Sequence, residues 1–197
     1  ALHSQNHSGM EVKNAAEQVL KRRLLAVPGV AEVMTIGGDM QQFQVTVKPE
    51  RLAAYGLTVG DVMQALRDGN QNATAGFYAE GGQEYLIQGQ GRIVRLDDIA
   101  ETVVAVKHGQ PVLVRHVAEI GIGAAPKRGV GSHNGKPAVI LGIQKQPGAN
   151  TLELTARLDR MLAEIQAGLP AGMKIETHIF RQADFIEVSI ANLRTAL

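Results

Sequence analysis

The sequence of 197 residues predicts an α+β fold with mainly antiparallel sheets. Two long stretches repeat apolar residues at helical spacing, and short stretches that alternate apolar and polar residues are typical of strands. Turn signals between successive strands place those strands in hairpins, which pair antiparallel. Residues 1–51 and 124–183 then suit one split α/β sandwich, with residues 52–123 as an inserted module and residues 184–197 as a final helix.

The front of the chain predicts a helix followed by two strands. The helix carries one apolar stripe, formed by Val12, Ala15, Ala16, Val19, Leu20 and Leu24. Pro28-Gly29 ends this element. The strands Val30–Ile36 and Gln41–Val47 follow around a turn at Gly37-Gly38-Asp39, and the second strand has the alternation of a half-buried antiparallel strand. We therefore expect a helix and a hairpin here.

The next segment, Arg51–Leu66, predicts a structural joint. A short helical turn ends at Gly56, because glycine best tolerates the left-handed C-terminal conformation. Thr58 fits the N-cap of a second helix, with Asp61 as its reciprocal partner. The apolar face of that helix is formed by Val59, Val62, Met63 and Leu66. The segment has no reactive group, so its predicted role is to connect two parts of the chain.

The middle of the chain predicts a polar loop, a hairpin, a short helix and further strands. The loop covers Asp68–Gly76, the hairpin turns at Gly81-Gly82, and the helix covers Leu96–Glu101. The predicted strands are Phe77–Ala79, Glu84–Gln88, Val103–Val106, Val112–Val114 and Val117–Ile122. A turn at His108-Gly109-Gln110 joins the third strand to the fourth.

The back of the chain predicts a hairpin, a capped helix and a strand. Asn134-Gly135 favours a type I′ turn between Arg128–His133 and Ala138–Gln144, because both central residues of that turn need positive φ. Asn150 fits a helix N-cap, and Met173–His178 is the last predicted strand. The buried face of the helix is formed by Leu154, Leu158, Met161, Leu162 and Ile165.

The end of the sequence predicts a helix without a stop signal. Asp184–Leu197 places Ile186, Ile190, Leu193 and Leu197 on one face, and no glycine, asparagine or proline follows them. Two interpretations stay open. The sequence favours a segment cut from a longer protein over a natural terminus that frays.

Composition excludes several classes of function. The net charge is +1 at pH 7, so no basic field favours nucleic acid. The chain contains no cysteine, which excludes disulfides and cysteine-based zinc or nucleophile chemistry. No apolar run approaches the ~20 residues of a membrane-spanning helix, and no signal peptide is visible. We therefore expect a soluble segment.

Five groups of residues resemble, in order, the porter region of resistance–nodulation–division (RND) efflux pumps, particularly the heavy-metal branch. That branch exports copper and silver or cobalt, zinc and cadmium. The groups are Val27–Val33 with Gly37-Gly38, Arg51–Leu66, Gln83–Ile87 with Gly89–Ile93, Pro111–Ala118, and Lys127–Gly129 with Asn134-Gly135 and Gly142-Ile143. Each group is a weak signal, whereas their order along the chain is specific.

The resemblance implies a fold and a role for each part. Residues 1–51 and 124–183 would form the second porter subdomain of the pump's N-terminal half, with ferredoxin-like connectivity. Residues 52–123 would form the inserted docking subdomain, and residues 184–197 would lead toward a transmembrane helix. The whole pump would be a homotrimer in the inner membrane that exchanges metal cations for protons. It would work with a periplasmic adaptor protein and an outer-membrane channel.

The segment itself would lie on the periplasmic side and have a mechanical role rather than an enzymatic one. Three features depart from the family pattern. His116 stands where an acidic residue is usual, and Phe180-Arg181-Gln182 replaces a frequent Asp-Arg-Ser. The hairpin at Gly81-Gly82 is short beside the long arm of the drug-exporting branch, which favours the metal branch.

Histidine and methionine are the candidate metal ligands in the sequence. His3 and His7 have the i, i+4 spacing that chelates on a helix, but their polar neighbours predict a loop. Of the other histidines, His108 is expected in a turn, His133 beside a turn, and His116 and His178 on strands. Met63 and Met161 are expected to fill gaps in the core. The remaining methionines, which do not cluster in sequence, are Met10, Met34, Met40 and Met173.

Catalytic motifs are weak throughout the sequence. Asp97-Asp98 fits the first turn of a helix, and Gly89-Gln90-Gly91 lacks the remaining spacing of a dinucleotide fingerprint. We predict no catalytic, cofactor-binding or metal-binding residue. The favoured hypothesis is a porter and docking segment of a heavy-metal RND pump. A free-standing periplasmic metal-binding or adaptor module is the alternative, and a small enzyme is a remote third class.

Overall fold

The computed structural model describes residues 1–81, 83–89, 91–127 and 129–196, with the backbone alone for 73–78 and 86–89. Contacts divide the chain into two compact units. Unit 1 contains residues 1–41 and 124–197, and unit 2 contains residues 42–123. Both units are mixed α+β with small antiparallel sheets, so the predicted fold class is confirmed at this level.

The elements follow one another along the chain from β1 to α8. Those before the middle of unit 2 are β1 (Leu2–Ser4), α1 (Gly9–Ala15), a π-helical turn (Ala16–Lys21), α2 (Arg22–Leu25), β2 (Val30–Ile36), β3 (Gln41–Val47), α3 (Pro49–Ala54), α4 (Val59–Gly69), β4 (Ala73–Glu80) and β5 (Gln83–Gly89). The later ones are α5 (Leu96–Ala100), β6 (Val103–Lys107), β7 (Gln110–Leu113), α6 (Val114–Val117), β8 (Ala118–Ala124), β9 (Ser132–His133), β10 (Lys136–Pro137), β11 (Ile140–Lys145), α7 (Thr151–Gly168), β12 (Met173–Ile175) and α8 (Gln182–Ala196).

The first helix of unit 1 begins at a capping box that the sequence prediction missed. The Ser8 hydroxyl accepts a hydrogen bond from the amide of Glu11 at 3.3 Å, and the Glu11 carboxylate accepts one from the amide of Ser8 at 2.7 Å. The predicted stripe is confirmed at its buried members, Val12, Ala16, Leu20 and Leu24. Val19 is 38% exposed. It lies in the π-helical turn, whose wider winding keeps residues four apart on the buried face and turns Val19, three residues after Ala16, away from it.

The strands of unit 1 pair over long sequence distances. β1 pairs antiparallel with β12, β11 pairs antiparallel with β2, and an isolated bridge joins Leu2 to Val139, directly before β11. The predicted hairpin of Val30–Ile36 with Gln41–Val47 is wrong, because β3 pairs with β8 instead. Alternation indicates which residues form strands, but it does not select the partner of each strand.

The N-terminal loop prediction is wrong for the first residues. Leu2–Ser4 forms β1, and Leu2 is fully buried. The core that this strand helps to close lies between the sheet and the two helical stretches. Its buried members are Leu2, Val12, Ala16, Leu20, Leu24, Val27, Val30, Val33, Val139, Leu154, Ile165 and Met173.

The joint in unit 2 forms as predicted. α3 is followed by Gly56 at φ +60°, and the Thr58 hydroxyl accepts a hydrogen bond from the amide of Asp61 at 3.2 Å. The apolar face of α4 is narrower than predicted. Val62 is 2% exposed, whereas Val59 and Met63 are 49% and 56% exposed, because one ridge of the helix reaches the core.

Two predictions in unit 2 need correction, one for a loop and one for a pair of strands. The predicted loop Asp68–Gly76 is shorter, since α4 continues to Gly69 and β4 begins at Ala73. The helical turn α6 occupies positions that were predicted to end one strand and begin the next. His116 therefore lies on a helical turn and not on a strand. The predicted hairpins β4–β5 and β6–β7 are present.

The back of unit 1 agrees with the prediction at its turn and helix. Asn134 and Gly135 have φ values of 50° and 75°, and Asn150 caps α7 through the amides of Leu152 and Glu153. β12 ends at Ile175, so His178 lies beyond the strand and its predicted strand position is wrong. Parts of the predicted elements lie outside the described residues, namely those at Gly82, Gln90, Arg128 and Leu197.

Candidate functional site

A cleft in unit 1 lies between α7 and the segment that connects β12 to α8. Its volume is about 410 Å³, and its apolar lining includes Leu24, Leu154, Leu158, Ile175 and Phe180. A second opening of about 470 Å³ shares part of this lining and adds His178. The cleft combines apolar walls with a few convergent polar groups, which is typical of pockets that bind small ligands.

Arg181 provides the principal polar contacts of this cleft. Its guanidinium Nη2 lies 2.7 Å from Oδ2 of Asp159 on α7, and its Nε lies 3.5 Å from Oδ1 of Asp184 on α8. Its Nη1 lies 3.3 Å from Nε2 of His178. The arginine side chain is 19% exposed, but the side chains of Asp159 and Asp184 are 43% and 57% exposed, so water screens these ion pairs in part. Arg181 therefore joins α7, α8 and the connecting segment.

The carboxylate of Glu176 lies next to this junction. It accepts a hydrogen bond from the backbone amide of His178 at 3.3 Å, which lowers the pKa of Glu176. Burial raises this pKa, but the electrostatic influence of His133 and His178 adds to the lowering. The segment before α8 thus carries a stable negative charge near the histidine that contacts Arg181.

A buried ionic cluster lies where the first helical stretch of unit 1 meets β2. Lys13 is 6% exposed, donates to the Thr35 hydroxyl at 2.8 Å and lies 3.4 Å from Glu17. Burial raises the pKa of Glu17, but hydrogen bonds from Thr35 and Lys21 and the charges of Lys21 and Lys13 outweigh it, so that this pKa is lowered. The cluster fixes the helix against β2, since each buried charge has partners.

The histidines are distributed over both units. In unit 1 the rings of His3 and His133 stack at 5.8 Å between centroids, and Ser4 contacts Nδ1 of His7 at 2.9 Å. In unit 2 the ring of His116 stacks on Tyr55 at 6.5 Å, and its Nδ1 accepts a hydrogen bond from Leu113. Within the described residues, no three histidine or acidic side chains are grouped to hold a metal ion.

The structure can be compared with the predicted burial of two methionines and with the predicted helix position of the paired aspartates. Met63 is 56% exposed, so its predicted burial is wrong, whereas Met161 packs against the core of unit 1. Asp97 and Asp98 lie in the first turn of α5 as predicted. The amides of Val94 and Arg95 donate to Asp98 and lower its pKa. Asp98 therefore caps a helix.

Sequence reasoning missed two groups of charged contacts in unit 1, those of the buried Lys13 and those of Arg181. A signal for the second exists in the sequence, because a basic residue directly before a helix opposes the helix dipole. Such a residue needs carboxylates nearby, and Asp184 lies three positions on. The partner on α7, Asp159, requires the tertiary fold.

The whole chain matches the sequence profile of the AcrB/AcrD/AcrF family over residues 1–197. The chain therefore belongs to this family of RND efflux transporters, and the resemblance drawn from its motifs is confirmed. Among the helices in the described part of the chain, none has the length and hydropathy that a membrane span requires.

Three relatives come from the heavy-metal branch. The cobalt-zinc-cadmium resistance protein CzcA of Cupriavidus metallidurans is 33% identical over 187 residues, which cover 95% of this chain and 18% of CzcA. The cation efflux system protein CusA of Escherichia coli K12 is 32% identical over 96% of this chain and 18% of CusA. The nickel-cobalt-cadmium resistance protein NccA of Alcaligenes xylosoxydans xylosoxydans is 32% identical over 83% of this chain and 15% of NccA. The chain thus spans less than a fifth of the length of these relatives.

Proposed function

We propose that the chain is the periplasmic porter and docking segment of a proton-driven heavy-metal cation exporter. The observation that carries this proposal is the insertion of one folded unit into another, in a chain of the RND family. The names of CzcA and CusA refer to cobalt, zinc, cadmium and cations, and these are the substrates that we propose for the full-length protein. The proposed location is the periplasmic side of the inner membrane.

Unit 1 is proposed to be the porter subdomain, a split sandwich with ferredoxin-like connectivity. The hydrogen-bonded strand order supports this assignment, since β12 pairs with β1, Leu2 of β1 bridges Val139 before β11, and β11 pairs with β2. The helical stretch from α1 to α2 connects β1 to β2, and α7 connects β11 to β12. Each half therefore has the strand–helix–strand order of such a fold.

Unit 2 is proposed to be the docking subdomain, which faces the exit duct. The predicted insertion covers residues 52–123, and the contact-based unit covers residues 42–123. A well-packed unit on a separate core suits a docking role, because it moves as one body when the porter subdomain shifts. In the assembled homotrimer this unit would work with the adaptor protein and the outer-membrane channel.

The proposed role of the segment is to couple motion, and the segment is not expected to act as an enzyme or to transport by itself. The isolated chain is expected to bind zinc or monovalent copper weakly. Isothermal calorimetry checks this expectation. Stoichiometric sub-micromolar binding that His116→Ala abolishes would instead favour a free-standing metal-binding module. An apolar run of ~20 residues encoded directly after Leu197 favours the pump, since that length spans a membrane.

Metal tolerance of the host tests the proposal as a whole. A strain that lacks the complete gene is expected to grow at lower concentrations of cobalt, zinc, cadmium, copper or silver than its parent. The intact gene should restore tolerance to the same metals. A gene that encodes a short linker in place of residues 42–123 tests the role of unit 2 separately. It should leave the strain sensitive, because the docking unit is missing.

Unchanged tolerance of the deletion strain to all five metals would contradict heavy-metal export. Full restoration by the shortened gene would contradict the docking role of unit 2 and leave the export proposal standing. Immunoblotting of the membrane fraction verifies that the shortened protein is produced at the level of the intact one. The two parts of the proposal therefore fail in different ways.

A further inference from the structure

The connection between β12 and α8 contains a charged junction built around Arg181. This residue directly precedes α8 and contacts three elements at once. Its guanidinium reaches Asp159 at 2.7 Å, Asp184 at 3.5 Å and Nε2 of His178 at 3.3 Å. With 19% of the side chain exposed, the arginine lies inside the junction and not on its surface.

The position of Arg181 is unfavourable for α8 itself. The N-terminus of a helix carries a partial positive charge, and a cation beside it is destabilising. Asp184 in the first turn of α8 offsets part of this repulsion. The contact at the shortest distance is with Asp159 on another helix, so the arginine serves the attachment of α8 to α7 more than the formation of α8.

Few apolar contacts hold α8 in place. Among its described residues, Ala183 is the buried one. Three of its large apolar side chains are mostly exposed, Phe185 at 64%, Val188 at 59% and Leu193 at 63%. Side-chain packing contributes little to the orientation of α8 relative to α7. The ion pair between Arg181 and Asp159 therefore contributes much of what holds that orientation.

His178 makes the junction sensitive to protonation. A guanidinium is always a donor, so Nε2 of His178 must accept the hydrogen bond from Arg181, which requires the neutral imidazole. Its proton then lies on Nδ1, which is 3.1 Å from the Thr177 hydroxyl. Protonation converts Nε2 into a donor, removes this hydrogen bond and places a second positive charge against the guanidinium.

The charged groups around His178 determine how the junction responds to its protonation. Asp159 faces it from α7, Asp184 lies on α8, and Glu176 lies two residues before it on the same segment. Once protonated, His178 competes with Arg181 for the Asp159 carboxylate. His133 acts on Glu176 from β9.

We propose that Arg181 positions α8 against α7 and that protonation of His178 weakens this attachment. Arg181 is thus a positioning residue, and its junction is a latch that opens when His178 gains a proton, so acid favours the open form. The latch is a property of this chain and does not rest on the proposed export function. Its test therefore measures the position of α8 and not transport.

The absence of cysteine allows two spin labels to be placed without background. Ala156 on α7 and Ala191 on α8 are exposed alanines, and the double variant Ala156→Cys/Ala191→Cys carries one label on each helix. Double electron–electron resonance then gives the distance distribution between the helices. We expect one narrow distribution at about pH 8 and a broader, longer one at about pH 5.

Three further variants separate the latch from a general effect of acid. In Arg181→Gln the distribution should be broad at both pH values, because the ion pair with Asp159 is lost. In His178→Gln, whose amide oxygen still accepts from Arg181, the distribution should stay narrow at both. The matched control is His108→Gln, an exposed histidine in a turn of unit 2, which should keep the full pH response.

The same variants can overturn the proposal. A narrow distribution in Arg181→Gln at about pH 8 would show that Arg181 does not position α8. A pH response that persists in His178→Gln would assign the response to another group, and an equal distribution at both pH values in the parent would exclude the latch. Nitrogen-15 NMR of the imidazoles adds an independent check. It should show the Nδ1-protonated tautomer of His178 at high pH, and the opposite tautomer would contradict the hydrogen bond.

Discussion

The amide of Leu2 donates a hydrogen bond of 2.8 Å to the carbonyl of Val139, and the amide of Val139 returns one of 2.8 Å to the carbonyl of Leu2. The two residues belong to the two stretches of unit 1 that unit 2 separates in sequence. Both side chains are almost fully buried. The bridge therefore joins the two stretches within the sheet of unit 1, at a position where both side chains also belong to its core.

The first prediction is that unit 1 folds without unit 2. The amide of Ala125 donates to the carbonyl of Met40 at 2.8 Å, so the chain leaves and re-enters unit 1 at adjacent points. Replacement of residues 42–123 by a linker of about four glycines and serines, a common length for a tight connection, should leave a cooperative fold. Urea unfolding followed by circular dichroism checks this, and a non-cooperative transition would contradict a separately folded unit 1.

The second prediction concerns two lysines that share Glu17. Lys13 lies 3.4 Å and Lys21 3.2 Å from that carboxylate, but 8% of the Lys13 side chain is exposed against 35% for Lys21. Lys13→Ala should lower the free energy of unfolding by about 2 kcal/mol, since it also removes hydrogen bonds to Thr35. Lys21→Ala should cost below about 1 kcal/mol. Chemical denaturation measures both values. Equal losses of unfolding free energy in the two variants would show that the burial of Lys13 adds no stability.

The third prediction concerns two glycines with positive φ in unit 1. A Cβ on Gly37 would lie 2.5 Å from the amide nitrogen of Gly131, whereas one on Gly135 would meet nothing within 4 Å. Gly135→Ala should cost about 1 kcal/mol through its backbone conformation, and Gly37→Ala clearly more, because backbone atoms must move apart. Thermal unfolding of both variants measures the difference. A Gly37→Ala variant as stable as Gly135→Ala would mean that the close approach of the two segments is wrong.

The fourth prediction concerns the capping box of α4. Thr58→Ala should destabilise unit 2 by about 1 kcal/mol, while Thr58→Ser, which still caps, should be close to neutral. Hydrogen bonds from the amide and hydroxyl of Thr58 lower the pKa of Asp61. A lowered folded pKa adds stability above the unfolded value of about 3.9, and this contribution is lost as the pH falls through the folded pKa.

The cost of Thr58→Ala should therefore be larger at neutral pH than in acid. Urea unfolding of the parent and both variants, at about pH 7 and again below about pH 3.5, gives the comparison. A cost of Thr58→Ala that rises on acidification would have the wrong sign for this box. A large loss in Thr58→Ser would show that threonine acts here through packing of its methyl group.

Local features of the fold could be predicted from the sequence. Thr58 and Asn150 begin helices, and Asn134-Gly135 forms its turn, because caps and tight turns depend on residues within a few positions of each other. The pairing of β2 with β11 and of β3 with β8 could not be predicted. Alternation along a strand is the same whichever partner it has, so the assumed hairpin after β2 was wrong.

The charged junction was less accessible to sequence analysis than the fold. Arg181 attracted notice as part of a departure from the family pattern, and its role depends on Asp159, which another helix supplies. His178 was expected on a strand, but β12 ends at Ile175, so His178 is free to turn toward Arg181. Contacts of this kind depend on how α7 and the segment before α8 pack, and no local pattern encodes them.

Metal transport by the full-length protein tests the central claim most directly. The protein, purified and reconstituted in vesicles with a pH gradient, is expected to move zinc, cobalt, cadmium or a monovalent copper or silver ion against its gradient. Transport should stop when a protonophore collapses the pH gradient. Failure to move any of these ions in vesicles that hold a stable gradient, with protein of verified trimeric assembly, would contradict the assignment to heavy-metal export.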